Sequence, residues 1–144
     1  MSTEPVPMAH QTWRDMVFLH WPVEASALRR LLPPSLSVDQ RDGTGWVSLL
    51  PFRCLGSRPV GVPRALGFDF LECNLRTYVT HQGEPGIWMF SLDASSRLAV
   101  WGARALFGLP YVAARMSRHG PGPELGYSVD REGGGHLRVR AAPA

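Results

Sequence analysis

Hydrogen-bonding and mostly apolar residues alternate along Glu72-Cys73-Asn74-Leu75-Arg76-Thr77-Tyr78-Val79. On a strand, successive side chains point to opposite sides, so a period of two gathers Glu72, Asn74, Arg76 and Tyr78 on one face and Cys73, Leu75, Thr77 and Val79 on the other. An acid, an amide, a guanidinium and a phenol in one file resemble a pocket lining more than an outer face of interchangeable Lys, Glu and Thr. The strand is expected over Phe68 to His81, with a hairpin through Gln82-Gly83-Glu84-Pro85-Gly86 into a second strand at Ile87 to Asp93.

The remaining pattern predicts more strands and two helices. Trp13 to Val23 reads as a buried strand, and Glu24 to Leu32 as a helix with Leu28, Leu31 and Leu32 at helical spacing, ended by Pro33-Pro34. Asp42-Gly43-Thr44-Gly45 is a turn between strands at Leu36 to Gln40 and Trp46 to Leu55. Gly56 to Gly67 reads as a loop. A second helix is expected up to Phe107, capped by Asp93 or Ser95, with Leu98, Trp101 and Ala105 as its core stripe and Gly108 and Pro110 as its stop. Tyr111 to Arg118, Glu124 to Arg131 and His136 to Ala141 complete the strands, the last two joined at Gly133-Gly134-Gly135. The expected class is mainly β with two short helices (α+β), arranged as an antiparallel barrel or half-barrel.

A chain of 144 residues is about one ordinary domain. We read 1–12 as a flexible N-terminal segment and 13–144 as a single domain. The hydrophobic fraction of 44% and charged fraction of 19% are those of a globular protein. No apolar run approaches the ~20 residues of a membrane span. With no cationic-apolar leader pattern at the start, a cytoplasmic location is expected, with no membrane partner.

All fifteen positive side chains are arginine. With no lysine, Schiff-base catalysis, a covalent pyridoxal phosphate site and a P-loop are excluded. Cys54 and Cys73 fit no disulfide framework or zinc spacing and read as reduced core residues. The net charge of +3 comes from scattered arginines, so no nucleic-acid partner is expected. No His-x-His, His-Glu-x-x-His, Gly-x-Ser-x-Gly or Gly-x-Gly-x-x-Gly pattern occurs. Neither a metal nor a cofactor is therefore expected.

Several motifs together resemble one family: FLHWPV at Phe18 to Val23, LLPPSL with Asp39, Gly45 to Ser48 running to Pro51-Phe52-Arg53, the Glu72 to Val79 row, GIWMFSLDA at Gly86 to Ala94, Ala103-Arg104 and Leu109-Pro110-Tyr111. The chain resembles the YqjF-like family, a domain of unknown function, over about Trp13 to Arg131. The resemblance implies an acetoacetate decarboxylase-like fold. It does not transfer that enzyme's activity, which needs a lysine. Family members usually continue with a second run of strands, so the barrel is expected to be shortened or completed by a partner chain, as in a homodimer.

Within that frame, Arg76 is the first candidate to hold a substrate carboxylate, against an internal ion pair with Glu72. Glu72 is a candidate general base if burial raises its pKa, with Arg76 expected to oppose the rise. Tyr78 and Asn74 could donate to a developing oxyanion, although tyrosines more often satisfy a core acceptor. His20, Arg53, Asp93 and Arg104 are further candidates to line the pocket, the alternatives being a hydrogen-bonded core group for His20 and a helix cap for Asp93. The leading expectation is a small-molecule-binding domain for an anionic organic ligand. The alternatives are a lysine-independent lyase or hydrolase, and a non-catalytic β-rich interaction protein.

Overall fold

The computed structural model describes residues 7–120 and 124–142. The first six residues of the expected flexible segment lie outside the described residues. From Ala9 onward that segment is already strand. β1 (Ala9–Arg14) and β2 (Leu19–Val23) both pair antiparallel with β4 (Gly45–Pro59), whose length of 15 residues lets one strand serve two partners end to end. The single strand expected over Trp13 to Val23 is thus two, interrupted where Asp15 takes a φ of 53°. Both are largely exposed, where a buried strand was expected.

Between β2 and β4 lie a short helix α1 (Ala25–Arg29) and a two-residue strand β3 (Ser37–Val38) that pairs with β5 (Phe68–His81). The turn at Asp42-Gly43 has φ of 53° and 77°, the conformation a two-residue hairpin turn needs. The loop expected over Gly56 to Gly67 is strand as far as Pro59, followed by a 3₁₀ turn at Arg64–Leu66. β5 then runs antiparallel to β4 and to β6 (Glu84–Ala94), and Gln82-Gly83 makes the second tight turn, with φ of 51° and 86°.

After β6 comes α2 (Arg97–Phe107), then β7 (Tyr111–His119), β8 (Leu125–Arg131) and β9 (His136–Ala141). β6 and β7 pair in parallel, because a helix rather than a tight turn joins them. This departs from the antiparallel expectation. Ser96, not Asp93 or Ser95, caps α2 by accepting from Ala99 N, and Gly108 ends it with a φ of 61°. The expected stripe is also reversed: Leu98 and Trp101 are exposed, and Val100 is buried.

The strands run β1-β4-β5-β6-β7-β8-β9 in one sheet, with β2 and β3 as side branches. It is mostly β with two helices, as expected, but no pairing between β9 and β1 closes a barrel among the described residues. Instead the sheet folds back on itself. Behind one face of β4–β5, Cys73 packs with Ala114 and Val129, and Val17 with Tyr127 and Val139. On the other face, Leu50, Phe52, Cys54, Phe70 and Ala94 pack under Val100 of α2. Phe52 and Tyr127 are fully buried, and each such side chain contributes ~1.5–3 kcal/mol of apolar burial.

Candidate functional site

The register of β5 puts the four polar residues on one face, as the alternation predicts. Glu72, Asn74 and Arg76 stand opposite Phe52, Leu50 and Ser48 of β4, and opposite Ala94, Leu92 and Met89 of β6. One extra residue of β6, Phe90, bulges beside Arg76, since consecutive residues Leu75 and Arg76 pair with Ser91 and Met89. Bulges re-aim side chains and recur beside functional sites. The row has two ends with different surroundings.

At the inner end, under α2, Glu72 is 3% exposed and Asn74 4% exposed. Tyr111 Oη donates to Glu72 Oε2 at 3.1 Å. Burial pushes the Glu72 carboxyl up to about 7, opposed by hydrogen bonds from Asn74 and Tyr111, which favour the charged form. The Glu72–Arg76 ion pair does not form, and Arg76 is not among the groups that set this pKa. Burial and the neighbouring Glu72 together drive the Tyr111 phenol above its usual range, keeping it a donor. Asn74 Oδ1 is buried without a hydrogen-bond partner.

At the outer end, Ser48 Oγ lies 3.1 Å from His20 Nε2 and 3.0 Å from Tyr78 Oη, and Tyr78 Oη lies 3.2 Å from His20 Nε2. A ring nitrogen cannot donate and accept at once, so only two of these three contacts are full hydrogen bonds in either tautomer. When Nε2 carries the ring hydrogen, one hydroxyl hydrogen is left over; when Nε2 accepts, both hydroxyl hydrogens are used. Phe18 stacks on His20 with ring centroids 4.2 Å apart, and the Arg76 guanidinium lies over Phe18 at 5.1 Å. Arg76 forms no ion pair among the described residues, and its Nε is buried and unpartnered.

The other expected residues are elsewhere. Arg53 points to the opposite face and pairs with Asp15 at 3.3 Å, which Arg118 also approaches at 3.0 Å. Asp93 shares the face of Cys73 and meets Arg131 at 3.1 Å. Arg104, in the last turn of α2, donates from Nε to the Tyr111 carbonyl at 2.6 Å. Asp93 and Arg104 therefore do not frame one pocket. Glu72 and Tyr78 are six residues apart on one strand, about 20 Å at the rise of an extended chain, and do not converge on one atom. Clefts among the described residues open along α2 and β7, with volumes of about 490 and 570 Å³, and beside β8 and β9. α2 packs over the inner end of the row, and Phe18 and His20 lie at its outer end.

Two partners escaped the sequence reading, Tyr111 and Ser48. Ser48 is fully buried and sits two residues from Trp46 and Leu50 in a strand, so its hydroxyl had to find partners on that face. Cys54 and Cys73 are free and buried, and burial pushes both thiols up to about 12, so neither is an activated nucleophile. No helix among the described residues is long and apolar enough to cross a membrane.

A family model described as an uncharacterized conserved protein, DUF2071, matches residues 10–144. The uncharacterized protein YqjF of Bacillus subtilis (strain 168) is 46% identical over 133 residues, covering 92% of this chain and 55% of that protein. Among solved structures, acetoacetate decarboxylase from Legionella pneumophila is similar with a TM-score of 0.69 at 19% identity, over 90% of this chain and 48% of that one. An acetoacetate decarboxylase-like enzyme from Sphingomonas wittichii RW1 gives 0.67 at 20% identity, over 88% and 54%. The enduracididine biosynthesis enzyme MppR, complexed with pyruvate, gives 0.71 at 14% identity, over 98% and 60%. At these identities the structures share the fold, and the chain spans about half the length of the relatives it matches. By the family model and the identity with YqjF together, this chain belongs to the DUF2071 family, with an acetoacetate decarboxylase-like fold.

Proposed function

We propose that the chain binds an anionic organic ligand at the outer end of the polar row, with Arg76 as the group that holds the anion. The observation that carries this reading is the state of Arg76: no carboxylate faces it among the described residues, and its Nε is buried without a partner. A buried guanidinium N–H ordinarily finds an acceptor. The planar guanidinium offers a carboxylate two parallel hydrogen bonds, and the hydroxyl hydrogen that the Ser48–Tyr78–His20 group leaves over when His20 Nε2 carries the ring hydrogen lies on the same face. MppR, similar in fold, is seen complexed with pyruvate, a small carboxylate.

A thermal-shift panel of pyruvate, lactate, succinate and benzoate tests the reading. A ligand at ten times its Kd stabilises by about 1.4 kcal/mol, or about 4 °C in Tm. The expected result is such a shift with at least one acid, lost in Arg76→Ala and not restored by Arg76→Lys. No shift with any acid, or a shift that survives Arg76→Ala, overturns it.

A second reading, a lysine-independent lyase or hydrolase, is favoured by the buried Glu72–Tyr111 pair. A carboxyl poised near neutrality beside a phenol is suited to proton transfer. Turnover of a panel acid, abolished in Glu72→Gln while the fold is intact, is its signature; absence of turnover in the wild type removes it.

A further inference from the structure

The outward face of the β7–β9 layer gathers three arginines that no carboxylate pairs. Residues opposite one another in the register fall in three rows: Arg115, Asp130 and His136; Ser117, Ser128 and Arg138; His119, Gly126 and Arg140. The residues that alternate with them, among them Ala114, Tyr127, Val129 and Val139, turn inward to the core. Arg115, Arg138 and Arg140 form no ion pair among the described residues. Of the carboxylates on this side, Asp130 is engaged by His136 at 2.6 Å, and Glu124 shares a neighbouring cleft with Arg140 without reaching ion-pair distance.

A cleft of about 290 Å³ opens on this face, lined by His119, Gly126, Arg138, Val139 and Arg140. Its floor is β8, the middle strand, where Gly126 has no side chain to raise it between His119 on β7 and the two arginines on β9. A Cβ on Gly126 would sit 3.4 Å from the His119 Cβ, so a side chain there would fill the trough. Ser117 Oγ and the buried Ser128 Oγ both meet His119 Nε2, at 2.8 and 3.1 Å, which holds the imidazole as one wall. Arg138 and Arg140 form the other wall. About 7 Å of strand separates them, close enough for both guanidinium groups to reach one tetrahedral anion.

We infer that this cleft binds the phosphate of a small organic phosphate monoester, with Arg138 and Arg140 donating to its oxygens and His119 closing the opposite wall. A single guanidinium satisfies a carboxylate, which has two oxygens and one charge. Two guanidinium groups with no acid between them match a group with three terminal oxygens and a charge of about −2, as a monoester has near neutral pH. The two layers and the core between them separate this cleft from Arg76, since Cys73, on the other face of β5, packs with Ala114 and Val129.

Calorimetry near pH 7.5 tests this with three probes: glycerol 3-phosphate, a monoester; dimethyl phosphate, a diester with one charge, the unit of a nucleic-acid or phospholipid backbone; and acetate. Glycerol 3-phosphate is expected to bind, and the other two to bind at least about tenfold more weakly. Arg138→Gln and Arg140→Gln, both at exposed positions, should each weaken glycerol 3-phosphate about tenfold. Arg115→Gln removes an equal charge from the same face outside the cleft and should change the affinity less than about twofold. Arg76→Ala should leave it unchanged, which keeps this site distinguishable from the one proposed above. The inference is overturned by no glycerol 3-phosphate binding at millimolar concentration, by dimethyl phosphate or acetate binding as tightly, or by a loss of affinity in Arg76→Ala. Equal losses in Arg115→Gln and Arg138→Gln also overturn it, because the face would then act as a diffuse field of charge and not as a site.

Discussion

Tyr111 donates to Glu72 across β6: Leu92 stands opposite Tyr111 on one side and opposite Asn74 on the other, and the 3.1 Å hydrogen bond spans that intervening strand. The contact exists because β6 and β7 run parallel with Tyr111 as the first residue of β7. It gives a deeply buried carboxyl neutral partners only, which is why burial dominates its pKa.

From this follows a pH dependence with a definite sign. The Glu72 carboxyl is raised from 4.5 to about 7 in the folded protein, so the native state keeps a proton that the unfolded chain has already released between those values. The stability it contributes is complete below about pH 4.5 and is lost as the pH rises through about 7, a loss on the order of 3 kcal/mol. Urea unfolding between about pH 5 and pH 8 should show a falling midpoint in the wild type and a flatter profile in Glu72→Gln. Tyr111→Phe removes a donor to the charged form and should steepen the fall. Parallel profiles for wild type and Glu72→Gln would refute the raised pKa.

The two ends of the polar row differ in how far the sequence reveals them. β5 spans Phe68–His81 as the alternation predicts, because a half-buried strand is specified by its own period of two and by the turns that flank it. Tyr111 lies 39 residues from Glu72 and reaches it only through the β6–β7 register, which no local pattern encodes. The pairing of Asp15 with Arg53 and Arg118 is likewise non-local, and no local pattern around Arg53 reveals it. For α2 the periodicity marks an apolar stripe without saying which side meets the sheet.

Ser48 holds the outer end of the row together, with its hydroxyl fully buried between His20 and Tyr78. Ser48→Ala leaves both partners one contact short and should cost about 1 kcal/mol. The ring signals of His20, followed by NMR, should move more than those of His136, which is hydrogen-bonded to Asp130 instead. Unchanged His20 signals in a folded Ser48→Ala variant would mean that the three side chains do not act as one group.

The orientation of α2 is tested by two truncations on adjacent residues. Val100 is 7% exposed and packs into the core under the helix, whereas Trp101 is 70% exposed. Val100→Ala should cost about 1–2 kcal/mol, and Trp101→Ala should stay within about 0.5 kcal/mol, despite removing far more apolar surface. Ser96→Ala, which deletes the cap to Ala99 N at 3.2 Å, should cost about 1 kcal/mol. Thermal melting of the three variants separates the outcomes. A larger loss for Trp101→Ala than for Val100→Ala would mean that the tryptophan is covered in solution.

Tyr127, fully buried between the two layers, donates a 2.6 Å hydrogen bond to the carbonyl of Asp15, the residue whose φ of 53° separates β1 from β2. A left-handed φ at a non-glycine residue is unfavourable unless its surroundings hold it. Here the carbonyl is fixed by Tyr127 and the carboxylate by Arg53 and Arg118. Tyr127→Phe keeps the ring packing and removes only the hydroxyl, so its cost isolates the hydrogen bond, about 1–3 kcal/mol for a buried acceptor left empty. Asp15→Gly relieves the backbone strain but deletes both ion pairs. If the arginines hold the break, Asp15→Gly destabilises in low salt and approaches wild type in high salt, because exposed ion pairs are screened. If the strain outweighs them, the variant is more stable than wild type at every salt concentration, and urea titrations at low and high ionic strength decide between the two.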